Sequence, residues 1–496
     1  MLFTIEPWTE RHQVAEQYRE REDKFEVDAA WELPDLTEVI PAGARIELGT
    51  VSLSSKYFDT VDHALLARGV TLRLRTGDAD TGWQLKVPAG AARTELRVPA
   101  NGTARTAPLE LRDLLFGLRG GAALRPVATL HTTRSVARVL DSSGELLAEI
   151  ADDQVTASVG TDAVAATEWR EVEVELGIGD EKLLTAIGKR LLRTGATRAK
   201  TRSKLAHVLG SATPAPAPVP SGPLGDLVAQ YLQAQYAALI DGDLALRRDE
   251  DAIHRTRVAT RRYRSVLRVF ADLFDADRAA TLDAELARYS TLLGEVRDYD
   301  VLRARLDRAV ASLPPELVVG PVGTQIDKQL RGDRVAAHEA LTRHMRSKRY
   351  VGLLAELKAW HDQPAFTEAA SAKAGAVNDY LRRATRTTAK RLKRATRSGD
   401  DQQLHRARRA GKRARYAAEL AAPVLGKPAR RIVKRATKLQ DVLGEHNDSI
   451  GAGDVLLRLA TNGAGAGRNG FTYGLLYANE QGIRRATAKR ARSLTF

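Results

Sequence analysis

The sequence predicts a multidomain α+β protein, with an antiparallel β domain lined by charge followed by an all-helical domain made of two similar bundles. Three features carry this prediction. The texture changes from short alternating segments to long Ala/Leu/Arg stretches across a Pro-rich divide, the alternating segments place charge on one face, and the helical half repeats itself.

At 496 residues the chain exceeds what one ordinary core holds, and two domains are expected. Residues 1–210 form the first, the Pro/Ala-rich stretch 211–223 reads as a solvated linker, and 224–496 form the second. No run approaches the roughly 18 uncharged apolar residues of a membrane span, and MLFTIEPWTERHQ lacks a basic region followed by an apolar run. The expectation is a cytoplasmic protein without a membrane partner. With 0 cysteines there is no disulfide or thiolate metal site, so any metal is held by oxygen or imidazole. The net charge of +15 divides unequally: residues 1–210 hold 27 Lys+Arg against 31 Asp+Glu, and the remainder hold 50 against 31. The helical half therefore attracts a polyanion or an anionic surface.

In the first domain, TLRLR, GWQLKV, RTELRV and WREVEVEL alternate between turns, as antiparallel strands do. Alternate residues share a face, so Glu20, Glu22 and Lys24 project together, as do Arg73 with Arg75, Gln84 with Lys86, Arg93 with Glu95 and Arg97, and Glu171 with Glu173 and Glu175. Leu72, Leu74, Val172 and Val174 face the other way, which inverts the usual pattern and puts charge inside. A lumen with both clustered carboxylates and clustered cations suits a polyphosphate held with a divalent metal. Carboxylates bind Mg²⁺ or Mn²⁺ through hard oxygens, and Lys and Arg neutralise the remaining phosphate oxygens. No nucleophile, base and orienter set stands out, so metal-activated water is the economical chemistry.

At these residues the sequence resembles the CYTH family, the triphosphate tunnel metalloenzymes, whose E-x-E-x-K strand is matched by Glu20, Glu22 and Lys24. The resemblance runs over 18–208 through YFDT (Tyr57 to Thr60), Arg73, Arg75, Lys86, Glu95, Arg134, EIADD (Glu149 to Asp153), the Glu171 to Glu175 run and Lys204, with Arg138 a looser match. It implies an eight-stranded antiparallel tunnel with flanking helices that hydrolyses or cyclises a triphosphate. Glu20, Glu22 and Lys24 would then be catalytic, Glu20, Glu22, Asp153, Glu171, Glu173 and Glu175 would hold metal, and Lys24, Arg73, Arg75, Lys86, Arg134 and Lys204 would hold the triphosphate.

In the second domain, helices are expected at 224–239, 249–274 and 378–396. His254, Arg257, Arg261, Arg262 and Arg264 recur as His405, Arg408, Lys412, Arg413 and Arg415, and LLGEVRDYD from Leu292 recurs as VLGEHNDSI from Val442. Two bundles, about 224–375 and 376–496, are expected about a pseudo-twofold axis. On a helix, His254, Arg257, Arg261, Arg264 and Arg268 fall within an arc of about 80° and span roughly 21 Å; His405, Arg408, Lys412 and Arg415 build the matching stripe. Rows of like charge call for solvent screening or a bound anion. The clusters Arg382–Arg397 and Arg484–Arg492 read as solvated faces, and GAGRNG at Gly465–Gly470 as a loop. The two histidines fit core packing, pH-sensitive phosphate donation or, least well, metal binding.

This duplicated element is similar to the CHAD family, the conserved histidine α-helical domain, over about 224–490. The resemblance implies inorganic polyphosphate bound in a basic groove, with Arg297, Asp298, Asp300, Asn447 and Asp448 read as structural hydrogen-bonding partners. The combined expectation is a metal-dependent triphosphatase, acting on inorganic tripolyphosphate, whose helical domain docks it on polyphosphate. The alternatives are a non-catalytic polyphosphate receptor associated with granules, a thiamine triphosphatase and an adenylate cyclase. Nucleic acid is disfavoured, because the stripes lack interleaved aromatics and match no groove-reading motif.

Overall fold

A computed structural model describes residues 17–77, 81–89, 92–100, 106–160, 166–201, 203–210, 222–464 and 469–496. The linker expected at 211–223 lies outside the described residues except for its last two, as does most of the loop at 465–470. The chain divides into two compact units, one within Met1–Ala215 with Arg247–Asp249, the other within Pro216–Leu246 with Glu250–Phe496. Among the described residues no helix is long and apolar enough to cross a membrane.

The first unit is one antiparallel sheet. Its strands are β1 (Gln17–Glu20), β2 (Glu22–Glu26), β3 (Arg45–Asp59), β4 (Thr71–Thr76), β5 (Gly82–Ala89), β6 (Ala92–Val98), β7 (Arg125–Leu140), β8 (Leu146–Val159), β9 (Ala166–Leu176) and β10 (Thr197–Arg198). Their order is β1-β6-β5-β4-β3-β7-β8-β9-β2-β10. Since β1 and β2 are consecutive and pair with β6 and β9 respectively, the sheet closes on itself at Arg21. Taking β1 and β2 as one interrupted strand gives nine strands among the described residues, not the expected eight; the addition is the two-residue β10, which pairs with the free edge of β2.

The inverted pattern is realised. Phe25, Val139, Ile150, Val172 and Val174 point outward beneath α3 (Glu181–Arg193) and pack on its Leu183, Leu184, Ile187 and Leu191. Gly188 permits this approach, because a Cβ there would lie 3.2 Å from the Phe25 ring. Two shorter helices, α1 (Leu109–Leu114) and α2 (Phe116–Arg119), follow β6. The YFDT segment divides its labour by parity. Tyr57 faces inward, Phe58 packs outward on Trp83 with ring centroids 4.9 Å apart, and buried Asp59 accepts from the N–H groups of Thr60, Leu65 and Leu66 at 2.7–2.9 Å to fix the following turn. The last helix, α4 (Lys204–Leu209), packs Leu205 and Ala206 against Tyr57, Leu130, Val155 and Ala157. These belong to the same inner face as Asp153. An apolar plug therefore backs the charged part of the lumen.

The second unit comprises α5 (Leu224–Arg247), α6 (Ile253–Val269), α7 (Ala276–Ala311), α8 (Val322–Met345), α9 (Lys348–Asp362), α10 (Val377–Ser398), α11 (Asp401–Leu425), α12 (Lys427–Ala464) and α13 (Phe471–Ala491). The duplicated motifs fall on α6 and α11 and on α7 and α12, and each of these pairs packs together. Caps fix the starts: Asp275 accepts from Arg278 N–H before α7, and Asp400 from Gln403 N–H before α11. The bundles are unequal, for among the described residues α9 has no counterpart in the second; its Tyr350 hydroxyl donates to Asp243 on α5 at 2.9 Å, and its His361 stacks on Tyr236.

Candidate functional site

The lumen is built by register. β9 carries Glu171, Glu173 and Glu175 inward; β8 sets Asp153 opposite Glu171 and Glu149 opposite Glu175, while β2 sets Lys24 opposite Glu173 and Glu22 opposite Glu175. β7 brings Arg134 opposite Asp153. On the other wall Arg73 pairs with Gln84 and Tyr57, and Lys86 with Glu95. One expectation needs correction: Glu20 and Glu22 do not lie on a single uninterrupted strand. Glu20 pairs with Arg93 on β6, Glu22 pairs with Glu175 on β9, and the break at Arg21 lets one chain segment serve both sheet ends. The Glu20 side chain lies outside the described residues.

Charge is satisfied in one part of the lumen and not in another. Ser203 caps α4 through Ala206 N–H, which puts Lys204 in the first turn. The Lys204 ammonium meets Asp153, Glu171 and Glu173 at 2.9, 2.6 and 2.7 Å. Arg134 holds Asp153 with two bonds of 2.7 Å and reaches Glu173 at 3.2 Å, and Lys24 meets Glu173 at 2.5 Å. Burial disfavours the charge on Glu173, yet Lys204, Lys24 and Arg134 outweigh it and hold its carboxyl well below the ordinary range. Burial likewise opposes Lys24, and Glu173 and Glu22 raise it nonetheless.

Glu175 behaves oppositely. Burial pushes its carboxyl up and, although Lys86 works against this, Glu22, Glu173 and Glu95 add to it. Crowding of this kind marks a place short of positive charge.

The metal-binding expectation divides along the same line. Oxygens of Asp153, Glu171 and Glu173 lie within 4.8 Å of one another, close enough to share a cation, but Lys204 supplies that cation here. Glu175 makes no ion pair among the described residues, whereas Glu22 approaches Lys24 and Arg93 at 3.7 and 3.8 Å and Glu149, next in register, meets Arg138 at 2.9 Å; a divalent ion at this end would find its least neutralised oxygens on Glu175. Sequence reasoning placed Glu149 in a motif without a metal role; its place opposite Glu175 becomes legible only with the register of β8 and β9.

The phosphate-binding candidates gather on the facing wall. Arg73 is buried, its Nε donating to Gln84 at 2.7 Å and its guanidinium to the Tyr57 hydroxyl at 3.1 Å. Arg75 is buried beside it, Lys86 lies 3.9 Å from Glu95, and Arg93 lies 3.8 Å from Glu22. Arg138 instead binds Glu149 at 2.9 Å and is about half exposed.

In the helical unit the two stripes line one groove of about 970 Å³. His254, Arg257, Arg261, Arg264 and Arg268 enter it from α6, and His405, Arg408 and Lys412 from α11. Arg415 does not. It turns to Glu419 at 3.0 Å and to Gln440, and Arg413 and Arg409 line the groove instead. Arg297, expected as a structural partner, also lines it. Asp298 does serve as one, accepting from Arg257 at 2.8 Å; Asn447 holds His405 Nδ1 at 2.8 Å, and Asp300 holds Arg334.

The repeated glycines now have a cause. A Cβ at Gly294 would sit 3.2 Å from the Arg257 guanidinium, and one at Gly444 would sit 3.5 Å from that of Arg408. Each stripe arginine lies across the backbone of the facing long helix.

The groove holds a cation excess. Among the described residues the side chains of Arg261, Arg408, Arg409 and Lys412 have no hydrogen bond or ion pair, and Nε of both Arg261 and Arg408 is buried without a partner. Burial first, then Arg408, Arg261 and Arg257, pulls the Lys412 ammonium down to about 7. Burial and neighbouring arginines lower both His254 and His405.

The CYTH domain family matches residues 18–208, and the CHAD domain family matches 230–457. An uncharacterised protein of Mycobacterium tuberculosis, Rv2226, is 36% identical over 485 residues, covering 94% of this chain and 93% of its own length. Of solved structures, PptA from Streptomyces chartreusis is 23% identical with a TM-score of 0.46, over 54% of this chain and 97% of that one. The CHAD domain from the plant Ricinus communis is 25% identical with a TM-score of 0.44, over 56% of this chain and 96% of that one. An inward-charged antiparallel tunnel over the first matched range, a duplicated basic bundle over the second, and a relative alike along nearly the whole length lead to one assignment: the chain belongs to the family of proteins that carry a CYTH, or triphosphate tunnel, domain followed by a CHAD domain.

Proposed function

We propose that the tunnel is a metal-dependent triphosphatase site whose substrate is inorganic tripolyphosphate, and that the helical groove binds inorganic polyphosphate. The observation that carries this reading is that Glu175, crowded by Glu22, Glu173 and Glu95 and without an ion pair among the described residues, shares the lumen with buried or half-buried cations at Arg73, Arg75, Lys86, Arg134 and Lys24. A triphosphate carrying a divalent ion would bring positive charge to the crowded carboxylate and anionic oxygens to the cations.

Glu22 and Glu175, with Glu20 and Glu149 adjoining in sequence or register, would hold Mg²⁺ or Mn²⁺; such an ion supplies charge neutralisation and an activated water. Arg73, Arg75 and Lys86 bind non-bridging oxygens, and Tyr57 and Gln84 fix the Arg73 guanidinium so that it enters the reaction already oriented. Lys24 and Arg134 neutralise charge that develops as the phosphoanhydride P–O bond breaks and water oxygen bonds to phosphorus. Lys204 holds α4 in place as the apolar stopper. A cytoplasmic location and association with polyphosphate granules accompany this reading.

The test is phosphate release by the full chain with Mg²⁺ or Mn²⁺, screened over tripolyphosphate, thiamine triphosphate and ATP. Tripolyphosphate should turn over fastest, and Glu22→Ala should reduce release at least a hundredfold while leaving thermal unfolding within a few degrees, about the loss expected for a group acting on the transition state. Unchanged release in Glu22→Ala would refute the assignment. Pyrophosphate release with cyclic nucleotide from ATP would replace it with a cyclase.

A further inference from the structure

The duplication creates two equivalent corners, one on either side of the α6–α11 crossing, and they have diverged. At the constant spacing that relates His254 to His405, Arg268 corresponds to Glu419 and Arg262 to Arg413. One corner is closed. Glu419 accepts from Arg262 at 2.9 Å and from the Tyr231 hydroxyl on α5 at 3.3 Å, and Arg415 adds a further bond. The other corner is open. Here the acid is replaced by Arg268, so Arg413 has no carboxylate to meet, and it makes no hydrogen bond or ion pair among the described residues. Burial first, then Arg391, Arg268 and Arg409, lowers the Arg413 guanidinium.

Behind this open corner lies a second cavity of about 430 Å³, lined on α10 by Tyr380, Arg383, Ala384 and Thr387. Arg268 and Arg413 line both it and the main groove. Arg383 lies over the Tyr380 ring, 4.4 Å from its centroid, with its guanidinium 3.7 Å from Asp272. Arg268 is paired with Asp283 at 2.6 Å. Two carboxylates thus face Arg268, Arg383, Arg413 and the nearby Arg391 and Arg409, leaving net positive charge. Part of the basic cluster read from sequence as a solvated face is the wall of this cavity.

We infer that the second cavity is a phosphate-binding subsite that continues the groove, so that a polyphosphate chain leaves the groove through the Arg268–Arg413 corner along α10 and not through the Glu419 corner. The chain's spaced phosphates meet Arg413, then Arg383, and pass Thr387, whose hydroxyl donates to the Arg383 carbonyl at 2.9 Å and lines the path. This rests on the proposed polyphosphate binding.

Titration of the full chain with long-chain polyphosphate, in chelator so that nothing is hydrolysed, separates the two ideas. Arg261→Ala probes the groove, and Arg383→Glu and Thr387→Glu probe the subsite; both subsite positions are at the surface of α10, and far-ultraviolet dichroism verifies folding. Both glutamate variants should bind at least tenfold more weakly, Arg383→Glu by losing a charge-assisted contact and Thr387→Glu by setting a carboxylate beside the phosphates, and tripolyphosphate turnover in the other unit should not change. If the native chain fails to bind, or Arg261→Ala binds as the native chain does, the groove reading falls and the subsite with it. If Arg261→Ala weakens binding but neither glutamate variant does, the subsite alone is refuted.

Discussion

Replacing Lys204 by Met leaves three carboxylates, Asp153, Glu171 and Glu173, around an apolar methyl. Asp153 is 0% exposed and Glu171 5%, so water does not take over the work of the ammonium. Removing one partner of a buried ion pair costs about 3–5 kcal/mol. At roughly 2–4 °C per kcal/mol for a domain of this size, the β unit should melt about 6–20 °C lower. Scanning calorimetry reports this, and chelator keeps stray metal from substituting for the lysine.

The pH dependence of this effect follows from the carboxylates. Burial raises Asp153 and Glu173, but Lys204 leads the cations that overcome it, and both are held below their ordinary values. Groups so depressed contribute stability above their unfolded pKa, about 4, and lose it as pH falls through the folded value. The native chain should therefore lose stability on acidification below about pH 4, while in Lys204→Met the same carboxylates gain protons readily and are relieved. The gap should be widest near neutral pH and should narrow toward pH 3. A variant that melts within about 2 °C of the native chain at pH 7, or a gap constant from pH 7 to 3, would refute the buried-cluster account. Mn²⁺ added to the variant should restore part of the loss, because the three oxygens remain within reach of one cation.

Further outcomes can be measured directly. Lys412, held at about 7 among Arg408, Arg261 and Arg257 with Asp298 and the two histidines close by, takes up a proton when an anion binds. Polyphosphate affinity should therefore rise about tenfold from pH 8 to 6, and Lys412→Arg should flatten the rise. Gly294→Ala adds a methyl 3.2 Å from the Arg257 guanidinium and displaces it; affinity should fall several-fold, while the helix gains up to about 1 kcal/mol. Gly411→Ala sets a methyl 2.7 Å from Leu439 in a packed seam, and calorimetry of the helical unit should show a loss of about 1–3 kcal/mol.

Alternation at Arg73/Arg75 and Glu171/Glu173/Glu175 was enough to read a lumen, because a strand's period of two fixes the shared face whatever its partners are. It was not enough to divide the lumen. Which acid is neutralised depends on Lys204, which arrives on a helix well after the strands and whose reach is invisible to periodicity. The break at Arg21 was hidden for a similar reason: strand pairing is non-local, and E-x-E-x-K looks the same whether it serves one neighbour or two.

In the helical half the repeat exposed the stripes, and Gly294 and Gly444 marked where they cross the long helices. The equivalence of the repeats ends at Arg415, because Glu419 stands where the first repeat has Arg268 and holds Arg415 out of the groove. The glutamate was visible in the sequence, but its effect required knowing that α6 and α11 cross where Arg262 and Arg413 sit.

The central claim is that a triphosphate lies between the cationic wall and the crowded carboxylates. A crystal structure of the full chain with tripolyphosphate and Mn²⁺ tests it most directly. The account predicts phosphate density bonded to Arg73, Arg75, Lys86 and Arg134 with a cation against Glu22 and Glu175. Phosphate found solely in the helical groove, with Lys204 and the lumen unchanged, would contradict it.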